Sequence, residues 1–277
     1  MSIITISRGS YSRGSDVALK VAEMLGYACI SREVLIEASE MFNIPEIKLV
    51  RAIHDAPSIL ERFSHGRERY VAYIRAIFLR HIQKDNIVYH GLAGHFFLQG
   101  IPHVLKVRVI ADMEDRVREE MKRENLSDEK ARYLLKKDDD ERRKWGLTLY
   151  GIDTTDSRLY DIVLKIKTIT VDDAAKFIVE TLRRTSFQTT PESRKVLDDL
   201  VLAAQIEALL VNEFPKVKVV ADNGSVDIHI AAGFGMVPSG VKEKEISYRV
   251  EDIAINLGGA QSARVHLAGS ISDAPVR

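Results

Sequence analysis

Residues 3–16 read Ile3-Ile4-Thr5-Ile6-Ser7-Arg8-Gly9-Ser10-Tyr11-Ser12-Arg13-Gly14-Ser15-Asp16. An apolar, β-branched run stops at a stretch of Gly and Ser. Beyond it Val17, Val21, Met24 and Leu25 recur with helical spacing until Gly26. β-branched residues favour a strand, Gly and Ser a turn, and the 3.6-residue period an amphipathic helix closed by glycine. Strand, turn and helix make the first half of a βαβ unit. Further β-rich runs at 87–89, 104–110 and 161–166 alternate with helical patterns over about 34–52, 67–84, 112–124, 127–144 and 171–184. That alternation predicts a three-layer α/β fold, a parallel sheet with helices on both faces.

The chain changes character after residue 183. Of its 40 basic and 40 acidic residues, nine and twelve lie from Pro191 onward, a net −3, which leaves net +3 before it. Residues 183–191, RRTSFQTTP, are polar, aperiodic and end in proline, which reads as a linker. The expected domains are therefore 1–184 and 191–277, and a chain ending near Thr185 is expected to fold alone. The second part predicts a helix over 192–212, strands over 216–220 and 225–230, a helix over about 241–257 ended by Gly258-Gly259, and a strand over 264–267. Asn223-Gly224 between two strands signals a hairpin, because both residues tolerate positive φ. The order α-β-β-α-β is that of a small α+β domain.

Gly9 and Gly14, with four residues between them, fit the phosphate-loop frame G-x-x-x-x-G-K-[ST]. Backbone N–H groups at the start of the following helix would face a phosphate there. The lysine position holds Ser15 and the hydroxyl position holds Asp16. Arg8 and Arg13 are the cations at hand to replace the lysine, and Arg13 is favoured because it lies inside the frame. A plain turn, with Asp16 at the helix start, is the competing reading.

The run Ile4-Thr5-Ile6-Ser7-Arg8, the Gly/Ser loop, Ala22-Glu23-Met24-Leu25-Gly26-Tyr27 and Arg32-Glu33-Val34-Leu35 resemble the cytidylate kinase-like family. So do Val88-Tyr89-His90-Gly91, the strand at 104–109, Arg116, the segment 125–131, Lys137/Asp139/Arg142 and Tyr160-Asp161-Ile162-Val163-Leu164. The resemblance covers residues 1 to about 184. It implies a P-loop nucleoside monophosphate kinase fold that transfers the γ-phosphoryl group of ATP, with Mg2+, to a pyrimidine nucleotide. It implies a phosphate loop of Arg8, Gly9, Ser12, Arg13, Gly14 and Ser15. It also implies a lid over 127–144 in which Arg142, oriented by Asp139, and Arg116 act on the transferring group. Arg32, His90, Arg158 and Asp161 are the expected acceptor contacts. Three positions depart from the family pattern: Ser15 in the loop, Ser31 in place of Asp in D-R-E, and Leu92 where an arginine would hold the acceptor phosphate. The C-terminal part, with Gly258-Gly259-Ala260-Gln261-Ser262-Ala263-Arg264-Val265, resembles a BON domain, which implies contact with a partner or with phospholipid.

Other features narrow the function. Zero net charge argues against a dedicated nucleic-acid binder. A single cysteine, Cys29, excludes an internal disulfide and a multi-cysteine metal site. No secretory signal or membrane-length apolar run is read, so a cytoplasmic protein is expected. Asp138-Asp139-Asp140 point about 100° apart on a helix and cannot face one ion together, and no metal site is expected. His95 and His103 read as structural, while His90 is kept because it ends a strand. The segment 112–144, with 11 basic and 12 acidic residues, is either a solvated helical hairpin or a charged lid. Gly233-Phe234-Gly235-Met236 reads as a packing loop or a partner-touching tip. Two functions follow: a nucleotide phosphotransferase, or a catalytically silent nucleotide sensor or scaffold acting through residues 191–277 by protein contact or self-association.

Overall fold

The computed structural model describes residues 2–10, 12–46, 48–50, 67–91, 94–231 and 241–268. Leu92 and the 233–236 loop lie outside the described residues. Two compact units emerge, one of residues 1–64 and 84–193, the other of residues 65–83 and 194–277.

The first unit is built on a five-stranded parallel sheet in the order β2-β3-β1-β4-β5. The strands are β1 (Ile3–Arg8), β2 (Ala28–Ile30), β3 (Ile87–His90), β4 (Val104–Ala111) and β5 (Ile162–Ile166). β1 lies at the centre, with Ile6 opposite His90 on one side and Val107 on the other. On one face Ile4, Ile6, Val88, Leu105, Val107 and Val109 pack beneath α1 (Gly14–Leu25) and α7 (Val171–Leu182), through Val17, Ala18, Val21, Ala174, Ala175 and Ile178. These side chains are almost wholly buried, and each Val, Ile or Leu among them contributes about 1.5–3 kcal/mol when fully desolvated. This face explains why β1 and β4 need alternating apolar residues.

The other face is more polar, with Thr5 and Ser7 on β1 and Lys106 and Arg108 on β4 at matched positions. Helices α2 (Glu33–Phe42), α4 (Gly94–Phe97), α5 (Met113–Glu124) and α6 (Asp128–Tyr150) complete the unit. α5 and α6 form a helical hairpin. Val117, Ala131 and Leu135 close its small core, Asn125 at φ 51° ends α5, and Ser127 caps α6. α6 runs six residues beyond the expected helix end at 144. Its last turns carry Trp145 and Tyr150 against Phe96, whose ring stacks on Tyr150 at 4.4 Å. The stretch read as a linker is hydrogen-bonded within this unit. The Gln188 amide donates to Leu182 O, and the Thr189 hydroxyl donates to the Asp85 carboxylate at 2.8 Å.

The second unit holds α8 (Pro191–Leu210), β6 (Lys218–Asp222), β7 (Ser225–Ala231), α9 (Val241–Asp252) and β8 (Ser262–Ala268). β6 and β7 are antiparallel, and β7 and β8 are parallel. Asn223 and Gly224 adopt φ of 55° and 76°, as a two-residue hairpin turn requires. Their N–H groups donate to the Asp199 carboxylate. Helix α3 (Arg67–Ile82) precedes β3 in sequence but belongs with this unit. Its Arg75 pairs with the Glu207 carboxylate on α8, Arg69 donates to Asn212, and Gln83 donates to Asp198. Sequence order places this helix in the first part; its side chains join it to the second. Among the described residues no helix is long and apolar enough to cross a membrane.

Candidate functional site

The loop after β1 sits where parallel sheets gather ligands, at the carboxyl ends of the strands. Ser12 is fully buried and anchors it, with its hydroxyl near Gly9 O at 2.9 Å and Val109 O at 3.0 Å. Gly14 opens α1 against Arg8; a Cβ there would lie 2.6 Å from Arg8 Cβ, so only glycine fits. Arg13 adopts φ 62° and pairs with Asp16 at 2.9 Å, with 53% of its side chain exposed. The favoured loop cation is therefore held by the acidic residue three positions on.

Cations reach the loop from the helical hairpin. Arg116 of α5 is 7% exposed and donates from Nε to Ser10 O at 2.7 Å. Its Nη1 and Nη2 bind the Asp139 carboxylate at 2.7 and 2.9 Å, a two-pronged pair. Asp139 thus orients Arg116, not Arg142 as read from the sequence. The two helices lie side by side, and this brings residues 23 positions apart into register. Ser10 donates its hydroxyl to Asp138 at 3.0 Å. Arg142 of α6 donates from Nη1 to Arg8 O at 3.1 Å, while its buried Nε has no partner among the described residues. Among the described residues no carboxylate lies within ion-pair distance of it. Burial first, and then the neighbouring Arg8, pull its pKa below the ordinary arginine value; Asp138 and Asp139 oppose them. A desolvated cation without a counter-ion is costly, and an anionic ligand would relieve that cost.

Two hollows share this wall. The outer one, about 360 Å³, lies over the N-terminus of α1 and is bordered by Arg8, Arg13, Ser15, Asp16, Arg123 and Arg142. The inner one, about 120 Å³, lies under the helical hairpin against Ser7, His95, Phe96, Arg108, Trp145 and Thr154. Arg8 and Arg142 border both. Behind the inner cavity the Tyr160 hydroxyl lies 2.9 Å from Thr154 O, 3.2 Å from Ser7 Oγ and 3.4 Å from His95 Nε2. Arg108 Nη1 donates to Tyr160 and Thr154 O, and its guanidinium lies 5.4 Å from the Tyr160 ring centre. Burial, then Arg108 and Lys106, push His95 down to about 3, so the imidazole is neutral.

The expected acceptor contacts lie elsewhere. Arg32 is 72% exposed and bound to Glu46. Arg158 is 88% exposed and bound to Asp156. Asp161 accepts from the Lys106 N–H at 2.7 Å and so ties β5 to β4. His90 ends β3 with a buried Nδ1 that has no partner among the described residues; burial, then Arg8, lower its pKa while Glu33 opposes. It borders neither hollow. Sequence reading took His95 as structural and gave no site role to Ser7, Arg108 or Trp145. The signal for Arg108 was present: charged residues at alternate positions, Lys106 and Arg108, in a strand meant to be covered on both faces. Among the described residues no group of three His, Cys, Asp or Glu side chains could hold a metal ion.

A model of the cytidylate kinase-like family matches residues 3–168. The cytidylate kinase of Methanosarcina acetivorans is 35% identical over 86 residues, which is 30% of this chain and 47% of that enzyme. The match thus spans about half the length of that relative. Among solved structures, an uncharacterized protein from Eubacterium ventriosum aligns with TM-score 0.51 and 24% identity, over 66% of this chain and 100% of that one. The shikimate kinase of Acinetobacter baumannii aligns with TM-score 0.38 and 14% identity, over 66% and 93%.

Proposed function

The chain belongs to the cytidylate kinase-like family, and from that premise we propose that it is an ATP-dependent phosphotransferase acting on a pyrimidine nucleoside monophosphate. One observation carries the reading: Arg142, a half-buried cation whose Nε is buried and has no partner among the described residues, stands with Arg8 between two hollows at the phosphate loop. The ATP phosphates fit the outer hollow, where the N-terminus of α1 favours negative charge and four arginines, Arg8, Arg13, Arg123 and Arg142, outnumber three carboxylates, Asp16, Glu119 and Asp138. Phosphoryl transfer needs positioning and charge neutralisation more than covalent help. Arg8 and Arg142 neutralise the transferring group, and Asp139 fixes Arg116 over Ser10. Magnesium supplies further charge neutralisation as the counter-ion of ATP. The described residues do not fit a protein-held magnesium, since Asp16 is paired with Arg13 and no acidic cluster is present.

A second reading, a silent nucleotide sensor, is favoured by Ser15 at the lysine position and by the Arg13–Asp16 pair. The α-β-β-α-β module supports a BON-type role in protein contact or self-association, within the cytoplasm. The test is calorimetric titration with Mg-ATP, followed by assay of ADP release with CMP, UMP and dCMP. ATP binding with acceptor-dependent release supports the kinase, and binding without release supports the sensor.

A further inference from the structure

The arginine that would hold the acceptor phosphate after β3 is replaced by Leu92, and Arg32, Arg158 and Asp161 are engaged locally. The inner cavity is nonetheless strongly cationic. Arg8, Arg108, Arg116 and Arg142 border it, against one carboxylate, Asp139, that Arg116 already binds at both oxygens. Arg8 and Arg142 also face the outer hollow and serve the transferring group. Arg108 borders the inner cavity alone.

Its surroundings make it a binding group more than a structural one. Among the described residues no carboxylate pairs with Arg108, and only Nη1 is engaged, by Thr154 O and the Tyr160 hydroxyl. Nε and Nη2 remain for a second acceptor atom, and a guanidinium presents its donors as a fork matched to two oxygens. The Tyr160 ring supports the group from one side. Ser7 adds a hydroxyl on the same cavity wall. His95, neutral beside Arg108, donates or accepts without adding charge.

We propose that Arg108 is the residue that holds the acceptor's phosphate monoester, from β4, in place of the family arginine absent at position 92. Tyr160 is its positioning residue. The assignment rests on the phosphotransferase reading above. It separates two anions along one path: the transferring group at Arg8 and Arg142, and the acceptor phosphate at Arg108.

The experiment measures steady-state transfer from ATP to CMP, with the ATP dissociation constant, for the wild type and Arg108→Met, Arg108→Lys and Tyr160→Phe. Trp145, the one tryptophan of the chain, borders the cavity and reports CMP and inorganic phosphate binding by fluorescence. Arg108→Met should raise the KM for CMP by roughly 10- to 150-fold, with kcat and ATP affinity little changed, because ground state and transition state lose the same contact. Arg108→Lys should raise it less, and Tyr160→Phe by a few-fold. Wild-type turnover with an unchanged CMP KM in Arg108→Met overturns the assignment while leaving the kinase reading intact. Should Arg108→Met not fold, an unchanged KM in both Arg108→Lys and Tyr160→Phe overturns it equally. A wild type that neither binds ATP nor turns over removes the kinase reading, and the assignment with it.

Discussion

Asp139→Asn tests the construction of the site without needing a ligand. The substitution keeps the shape of the side chain and removes its charge, leaving Arg116, 7% exposed, without its counter-ion. Breaking a fully buried pair costs about 3–5 kcal/mol. Asp139 retains 37% exposure, so water partly replaces it, and about 1.5–3 kcal/mol is the better figure. For a unit of this size each kcal/mol shifts the melting midpoint by about 2–4 °C, so a fall of roughly 3–12 °C is expected. Circular dichroism melts of the wild type, Asp139→Asn, Arg116→Met and the double variant make the assay. The cycle isolates the pair, and its coupling should exceed about 0.5 kcal/mol. A single-variant melt within one degree of the wild type, or purely additive effects, would refute the claim that Asp139 holds Arg116 in place against Ser10 of the loop after β1.

Arg142→Met removes a half-buried cation that has no ion pair among the described residues, so melting should hold or rise while calorimetry shows ATP binding weakened by roughly 10- to 150-fold. His95 is neutral in the native state, with its pKa at about 3, whereas in the unfolded chain it titrates near 6.5. Below pH 6.5 the unfolded state therefore binds the extra proton. Stability falls as pH drops from about 6.5 toward 3, with a slope of up to about 1.4 kcal/mol per pH unit from this residue. In urea melts between pH 7 and 4, His95→Gln should flatten that slope, and parallel curves would count against it. A chain ended at Thr190 leaves α3 without Glu207, Asp198 and Asn212. It should bind an apolar dye and melt below the full chain; a clean, unchanged melt would show that α3 needs no such partner.

Local chemistry made much of this legible. The run at 3–6 and the glycines at 9 and 14 specify strand, loop and helix because each residue type narrows φ and ψ by itself. Asn223-Gly224 fixes its hairpin in the same way. Partner choice is another matter. The period over 67–84 shows that α3 buries a face, but periodicity does not say against what, and the answer lies more than a hundred residues away on α8. Asp139 sits three residues before Arg142, which makes that pair look natural. The helical hairpin instead offers it Arg116 with better geometry. Arg13 and Asp16 were readable as an i,i+3 pair; the frame of the loop drew Arg13 inward on paper. Arg108 reads as part of a strand until the fold shows what stands over it.

The most direct test of the account is transfer of radiolabelled γ-phosphate from Mg-ATP to CMP by the wild-type chain, compared side by side with Arg142→Met. The account predicts labelled CDP from the wild type, and at subsaturating ATP a loss of roughly ten-fold or more in Arg142→Met, with its melting midpoint preserved. ATP binding by neither protein, or equal labelling by both, would contradict it.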